Sequence, residues 1–322
     1  NAYITYFMKK KILVTGGSGY KGVKLINKLI EEGYQVINLD INYFGNYFIK
    51  NKFVKNFKLN VLDVKKVNLK NVYACIHLAC IANDPMVDLN PGLSWETSAL
   101  GTKILMDELV KNKVKKIIYA SSGSVYGVKK EKKVTEKLTL NPISTYNKVK
   151  MVTERTLLSY SDKVNIIILR PATVCGFAPR MRLDVTVNML TFQALKNGEM
   201  TVYGGMQKRP NVHIDDIVDA YIFFLKKNIK TNIFNIGFEN YSILKIAQTV
   251  SKIIPSKIKI IKKFADARSY NLDSTKLLKT GFKPKKKIID AINELNILYK
   301  SGKFMDKPNF HSIKWIKKKI IK

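Results

Sequence analysis

Two clusters of residues carry the chemistry this sequence offers. In the first, Gly16, Gly19 and Gly22 of TGGSGYKG follow an apolar run and open an amphipathic stretch. Glycines so spaced let a strand turn tightly into a helix and let the backbone approach a pyrophosphate, whose charge faces the positive helix N-terminus. Asp40 ends the next apolar run, 18 residues after Gly22. From there a carboxylate can bind both hydroxyls of an adenosine ribose and repel a 2′-phosphate, so the expected cofactor is NAD in preference to NADP. The alternative for Asp40 is an ordinary turn after a strand. Asp63, after a third run, could meet the adenine amino group or simply close a turn.

The second cluster is Tyr146 and Lys150 in YNKVK, one helical turn apart and so on one face of a helix. A phenol with an ordinary pKa of about 10 is a weak base at neutral pH, but an adjacent ammonium favours the phenolate. Lys150 could also hold the nicotinamide ribose. In a lysine-rich chain a Tyr-x-x-x-Lys arises easily by chance, so its position carries the weight. The pair follows a fifth apolar run that ends in Ser121-Ser122-Gly123-Ser124-Val125-Tyr126-Gly127, and in open α/β sheets ligands gather at the carboxyl ends of strands.

The elements that must position these residues follow from the pattern. Apolar runs at 10–17, 35–40, 57–62, 72–79, 115–121 and 164–170 alternate with helical stretches at 20–32, 94–111 and 144–160. Continuous apolar strands between helices predict an α/β, doubly wound parallel sheet covered on both faces. Beyond Arg170 the rhythm loosens into helices near 184–197, 215–226, 242–253 and 286–299 and strands near 200–203 and 232–237. The expected division is a nucleotide-binding Rossmann domain over 8–175, to which 212–240 returns, and a smaller α/β substrate lobe from 176–211 and 241–322. Met8 stands beside the first strand and reads as the natural start, with residues 1–7 given no function. The tail, IKWIKKKIIK, reads as a docked or frayed terminus, the alternative being an amphipathic segment on a membrane surface.

Composition narrows the class. The chain has 322 residues, 46% hydrophobic and 25% charged, with 57 Lys+Arg against 24 Asp+Glu and a formal charge of +33. That usage excludes disordered and fibrous classes. The charge alone suggests nucleic acid, but only six basic residues are Arg and the rest are Lys scattered among Ile and Asn, as an A/T-rich genome would encode. No nucleic-acid partner is expected. Three cysteines, Cys75, Cys80 and Cys175, form no paired framework, which predicts a reducing, cytoplasmic setting. No uncharged stretch is long enough for a membrane helix. His77 stands without a cluster of ligating residues, so no metal site is expected.

TGGSGYKG, HLACIAN at 77–83, SSGSVYG at 121–127, YNKVK at 146–150 and LRPATVCG at 169–176 occur in the order found in the extended short-chain dehydrogenase/reductases, and within them the chain resembles the nucleotide-sugar epimerase/dehydratase branch. The resemblance runs from Lys10 to about Leu277. It implies that Tyr146 is the catalytic base, Lys150 its partner and Ser122 the hydroxyl on the reacting sugar oxygen, with Ser121 and Ser124 as alternatives. It implies also that Tyr20, Leu78 and Ala79 lie against the cofactor and that Thr173 contacts the substrate. Arg209 and Arg268 would grip a diphosphate, which guanidinium forks satisfy bidentately, with Arg182 and Arg180 as weaker candidates.

The implied reaction is oxidation of a nucleoside-diphosphate sugar at C4 through a 4-keto species, by a 4-epimerase or a 4-dehydrogenase acting as a homodimer. The helices near 94–111 and 144–160 would form the dimer face through Met106, Leu109, Val110, Val149 and Val152, the alternative being that these residues pack in the core of one chain. The alternative is a non-catalytic basic member of the fold that binds NAD or RNA. Three departures stand out: Ser98 and Thr173 replace Asn, and Lys21 enters the glycine turn, expected on its solvent side. Relatives that eliminate water carry Asp-Glu where this chain has Gly123-Ser124, so no 4,6-dehydratase activity is expected.

Overall fold

The computed structural model describes residues 9–47, 51–262 and 271–320. Twelve strands follow in chain order: β1 Lys9–Thr15, β2 Tyr34–Asp40, β3 Val54–Lys58, β4 Val72–His77, β5 Lys116–Ala120, β6 Asn165–Pro171, β7 Thr173–Cys175, β8 Glu199–Tyr203, β9 Lys208–His213, β10 Asn232–Ile236, β11 Glu239–Ser242 and β12 Lys257–Ile261. Seven form one sheet in the order β10-β6-β5-β4-β1-β2-β3, with every neighbouring pair parallel. The order reverses between β1 and β4, and that switch point opens a crevice at the carboxyl ends of the strands. Ile12, Leu13, Val14, Ile117, Ile118, Ile167 and Leu169 are fully buried, as strands covered on both faces must be.

The sequence pattern misplaces two elements. The third strand is Val54–Lys58 rather than 57–62. Asn60 ends it by accepting from Leu62 N at 3.1 Å, and Val61–Lys66 winds into a 3-10 turn that buries Val61 and Val64. The single helix expected over 94–111 is three pieces: Pro91–Ser94, a π-helical turn Trp95–Leu100, and Gly101–Lys111. Gly101 lets this stretch press on the 3-10 turn, since a Cβ there would lie 2.6 Å from Val61 Cγ1.

The smaller lobe holds a three-stranded sheet β11-β9-β7 and a β12-β8 pair, around a core of Val187, Leu190, Ile246, Val250, Ile288 and Ile292. Of the returning segment, helix Ile214–Lys226 and β10 rejoin the large sheet, whereas Val212 and His213 belong to β9 of the lobe. The tail is docked: helix Ser312–Ile320 buries Ile316 against Ile81, Met86 and Val87. No helix among the described residues is long and apolar enough to cross a membrane. Met106, Leu109 and Val149, assigned above to a dimer face, are buried in the core of one chain at 0, 0 and 1% exposure, so they cannot mark that face.

A buried polar network fixes helix Thr145–Leu158 to the sheet. Arg170 on β6 donates to Glu154 from Nε at 2.9 Å and from Nη2 at 2.6 Å, and Ser121 donates to the same carboxylate. Arg170 also donates to Tyr126, whose hydroxyl donates to Asn235 on β10.

Candidate active site

The crevice is an open cleft with a cavity of about 460 Å³, lined by the glycine turn, the ends of β2, β4 and β5, helix Thr145–Leu158, the 180–186 loop and the tail helix. The turn packs tightly on itself and on the end of β4. Gly16 has φ +71°, and a Cβ on it would stand 2.6 Å from Ala79 N, against the Leu78–Ala79 backbone at the end of β4. A Cβ on Gly22 would lie 2.5 Å from Gly17 Cα. Helix Tyr20–Glu31 begins at Gly19 with no side-chain cap, so its first N–H groups face the cleft unspent.

Asp40 sits at the rim, accepting from Ser18 N at 2.9 Å and Asn42 N at 2.6 Å. Burial raises its pKa, and those two N–H bonds and Arg180 offset part of the rise. Tyr20 lines the cleft but turns its hydroxyl to the lobe, donating to Gly176 O at 2.6 Å and accepting from Asn188 at 3.1 Å. Asp63 lies outside the cleft wall, paired with Lys66 at 2.7 Å, while Leu59, Asn60 and Val61 line it. The 3-10 turn explains this, because it aims Asp63 along its own turn.

Ser144 caps helix Thr145–Leu158, accepting from Asn147 N at 3.2 Å, so Tyr146 falls in the first turn, facing the cleft. Lys150 is 2% exposed, donates to Ala120 O at 2.7 Å, and stands 5.9 Å from the Tyr146 ring centre. Burial pushes the Tyr146 phenol up to about 12, and Lys150 acts in the opposite direction. Burial alone would lower Lys150, but Cys80, which hydrogen-bonds it, and Tyr146 outweigh that and leave it above the ordinary lysine value.

The three serines separate by role. Ser121 gives its hydroxyl to Glu154. Ser122 Oγ stands 2.8 Å from Ser124 Oγ, and Ser124 donates to Asn147 at 2.5 Å. Ser122 and Ser124 line the cleft with Tyr146.

On the far wall, Thr173, Arg182 and Arg209 line the cleft. Arg182 donates to Asp184 from Nε at 3.1 Å and Nη2 at 2.6 Å. Arg180 is 2% exposed, lies 3.9 Å over the Phe44 ring and donates to Ser312. Arg268 falls outside the described residues. His77 is tied through both ring nitrogens, 2.6 Å from Thr15 Oγ1 and 2.9 Å from Thr102 Oγ1; burial and Lys150 hold it down to about 3. Among the described residues no three ligating side chains converge on a metal position.

Several lining residues escaped the sequence reading: Cys80, Asn83, Asp184, and Ile313 and Ile316 of the tail. They come from loops and from the chain end, where no local spacing signals a ligand. Lys21 is a correction. It lines the cleft, where its neighbours are Lys150, Arg182 and Cys80, rather than the solvent side of its helix.

A parallel sheet with a glycine-cradled helix N-terminus at its switch point and a Tyr–Lys pair beside it defines a dinucleotide-dependent enzyme of the short-chain dehydrogenase/reductase type. Residues 12–237 match the NAD dependent epimerase/dehydratase family, and the chain belongs to that family. The uncapped helix N-terminus at Gly19 and the carboxylate at Asp40 fit the NAD that the family uses. A UDP-glucose 4-epimerase of Lactobacillus helveticus is 29% identical over 88% of this chain and 94% of its own. The structure of a Thermotoga maritima UDP-glucose 4-epimerase with UDP-glucose superposes with a TM-score of 0.83 at 26% identity, covering 91% of this chain and 99% of that one. A dTDP-glucose 4,6-dehydratase from Streptomyces venezuelae, solved with NAD, shares the fold at a TM-score of 0.82 and 20% identity, covering 94% of this chain and 99% of its own.

Proposed function

We propose that this protein is an NAD-dependent 4-epimerase of a UDP-sugar. The observation that carries the reading is the meeting of Tyr146, Lys150 and Ser122 in the cleft that the glycine turn also lines. The full-length similarity to a UDP-glucose 4-epimerase supports the choice within the family. NAD, when bound, supplies the hydride acceptor and donor. Tyr146 takes the proton of the C4 hydroxyl as that carbon is oxidised. Lys150 makes the phenolate accessible by its charge and is held in place by Ala120 O. Ser122 orients the same oxygen, and Ser124, tied to Asn147, holds Ser122 in place. A 4-keto sugar results; turning it over before the hydride returns gives the C4 epimer.

The Gly123-Ser124 dipeptide supplies no carboxyl group beside Ser122, and Ser124 is engaged with Asn147. Among the described residues three carboxylates line the cleft: Asp40 is held by two backbone N–H groups, Asp184 by Arg182, and Asp84 starts the short helix Asp84–Val87; none adjoins Ser122 in the chain. Elimination at C5 and C6 would therefore lack an acid and base at the position after Ser122, and on that ground we assign no 4,6-dehydratase activity. Incubation with NAD+ and a panel of UDP-, GDP- and dTDP-sugars, read by product mass and C4 proton coupling, tests both statements. Unchanged mass with an altered coupling is expected for one UDP-sugar. Loss of two mass units would identify a dehydrogenase, and loss of 18 would overturn the exclusion.

A further inference from the structure

Resting on that reading of the cleft, the geometry points to Lys21 as a specificity residue: we propose that its ammonium binds an anionic oxygen, phosphate or carboxylate, of a ligand in the reactive half of the cleft. Lys21 is the second residue of helix Tyr20–Glu31, so its backbone lies where the helix N-terminus faces a pyrophosphate. The cleft is electrostatically divided. At the adenosine end, Asp40 and Arg180 act on each other. At the reactive end, Lys21 lines the cleft together with Lys150, Arg182 and Cys80, and the two cations act on its charge. No carboxylate forms an ion pair with Lys21 among the described residues. Arg182 has Asp184 and Lys150 has Ala120 O, so Lys21 is the cation of this group whose demand the protein leaves unmet. Burial, with Lys150 and Arg182, holds it down to about 8. An anion delivered by a ligand would relieve that repulsion, and a glycine turn with an aliphatic residue here would offer no such charge.

Two ligands could bring the anion: the pyrophosphate of the dinucleotide, or a charged group of the sugar nucleotide. The test is Lys21→Met, which keeps the length of the side chain and removes the charge, with Lys21→Arg as the charge-retaining control. Dissociation constants are measured by calorimetry for NAD+, for UDP-glucose and for UDP-glucuronate, at pH 7. Lys21→Met should weaken at least one of the three by tenfold or more and Lys21→Arg should restore it. A loss confined to NAD+ assigns the pyrophosphate, a loss for both UDP-sugars the substrate diphosphate, and a loss for UDP-glucuronate alone a carboxylate on the sugar. Because Lys21 is repelled by its neighbours in the free cleft, Lys21→Met should fold and melt no lower than the parent. Affinities all within twofold of the parent would overturn the proposal, whether or not the melting temperature moved. The binding arms do not depend on turnover, so failure to convert any UDP-sugar would remove the 4-epimerase reading and leave the Lys21 result standing.

Discussion

At the scale of single residues the site sets one acid–base problem and one recognition problem. Burial raises the Tyr146 phenol to about 12 while Lys150 pulls against it, so in the free enzyme the phenolate fraction grows about tenfold per pH unit below that value. The activity measured as kcat/KM should therefore climb with pH through 7 to 9; a profile that falls across this range would place the base elsewhere. Tyr146→Phe should lower kcat by about 10²-fold or more with NAD+ affinity unchanged. Lys150→Met removes the charge that favours the phenolate and should displace the pH profile upward, with turnover at pH 7 reduced. Recognition falls to Asp40. Its carboxylate is positioned by Ser18 N and Asn42 N, and Asp40→Ala should weaken NAD+ by about tenfold, the scale of a charged hydrogen bond, with little effect on NADP+. Equal losses for both dinucleotides in a binding assay would count against the ribose assignment.

At the scale of elements, helix Thr145–Leu158 aims the pair, and its anchor lies at the opposite end from Tyr146. Glu154 accepts from Arg170 on β6 and from Ser121 after β5, all buried. Glu154→Ala would strand a buried guanidinium and should destabilise the fold by about 3–5 kcal/mol, read from denaturant melts; a change under about 1 kcal/mol would show that the network does not hold the helix. The parts of this arrangement legible in the sequence are those in which local pattern and tertiary role coincide. The apolar runs of β1, β4, β5 and β6 are buried on both faces, and Gly16, Gly17 and Gly22 occupy positions where a Cβ would collide. Asp63 and the Trp95–Leu100 turn were not legible, because an asparagine cap and the contact between Gly101 and Val61 decide them. Lys21 misled for a related reason: helix periodicity says which face a side chain leaves from, but not that the cleft wall curves around it.

At the scale of the whole molecule, the chain end closes the site that its beginning opens. Asn309 donates to Phe44 O at 2.7 Å, Ser312 accepts from Arg180 at 3.0 Å and donates to Asp184 at 3.1 Å, and Trp315 donates to Tyr43 O at 2.7 Å. Ile316 packs on Ile81, Met86 and Val87 while Lys317, Lys318 and Lys319 face outward. The tail thus clasps three loops that wall the cleft, and Ile313 and Ile316 are themselves part of that wall. Arg180 depends on it most: its Nε has no partner, and burial holds its pKa down to about 9, so losing Ser312 would leave a poorly solvated cation beside the adenosine end. A chain ending at Lys307 should therefore retain its large sheet, whose strands make no hydrogen bond to the tail among the described residues, but bind NAD+ at least about tenfold more weakly, the scale of one lost charged hydrogen bond. Far-ultraviolet circular dichroism and calorimetry on the truncated and full chains separate these effects. Parental NAD+ affinity in the truncated chain would reduce the tail to an appendage. A weakened affinity restored by adding the 308–322 peptide in trans would identify it as a wall of the cofactor site.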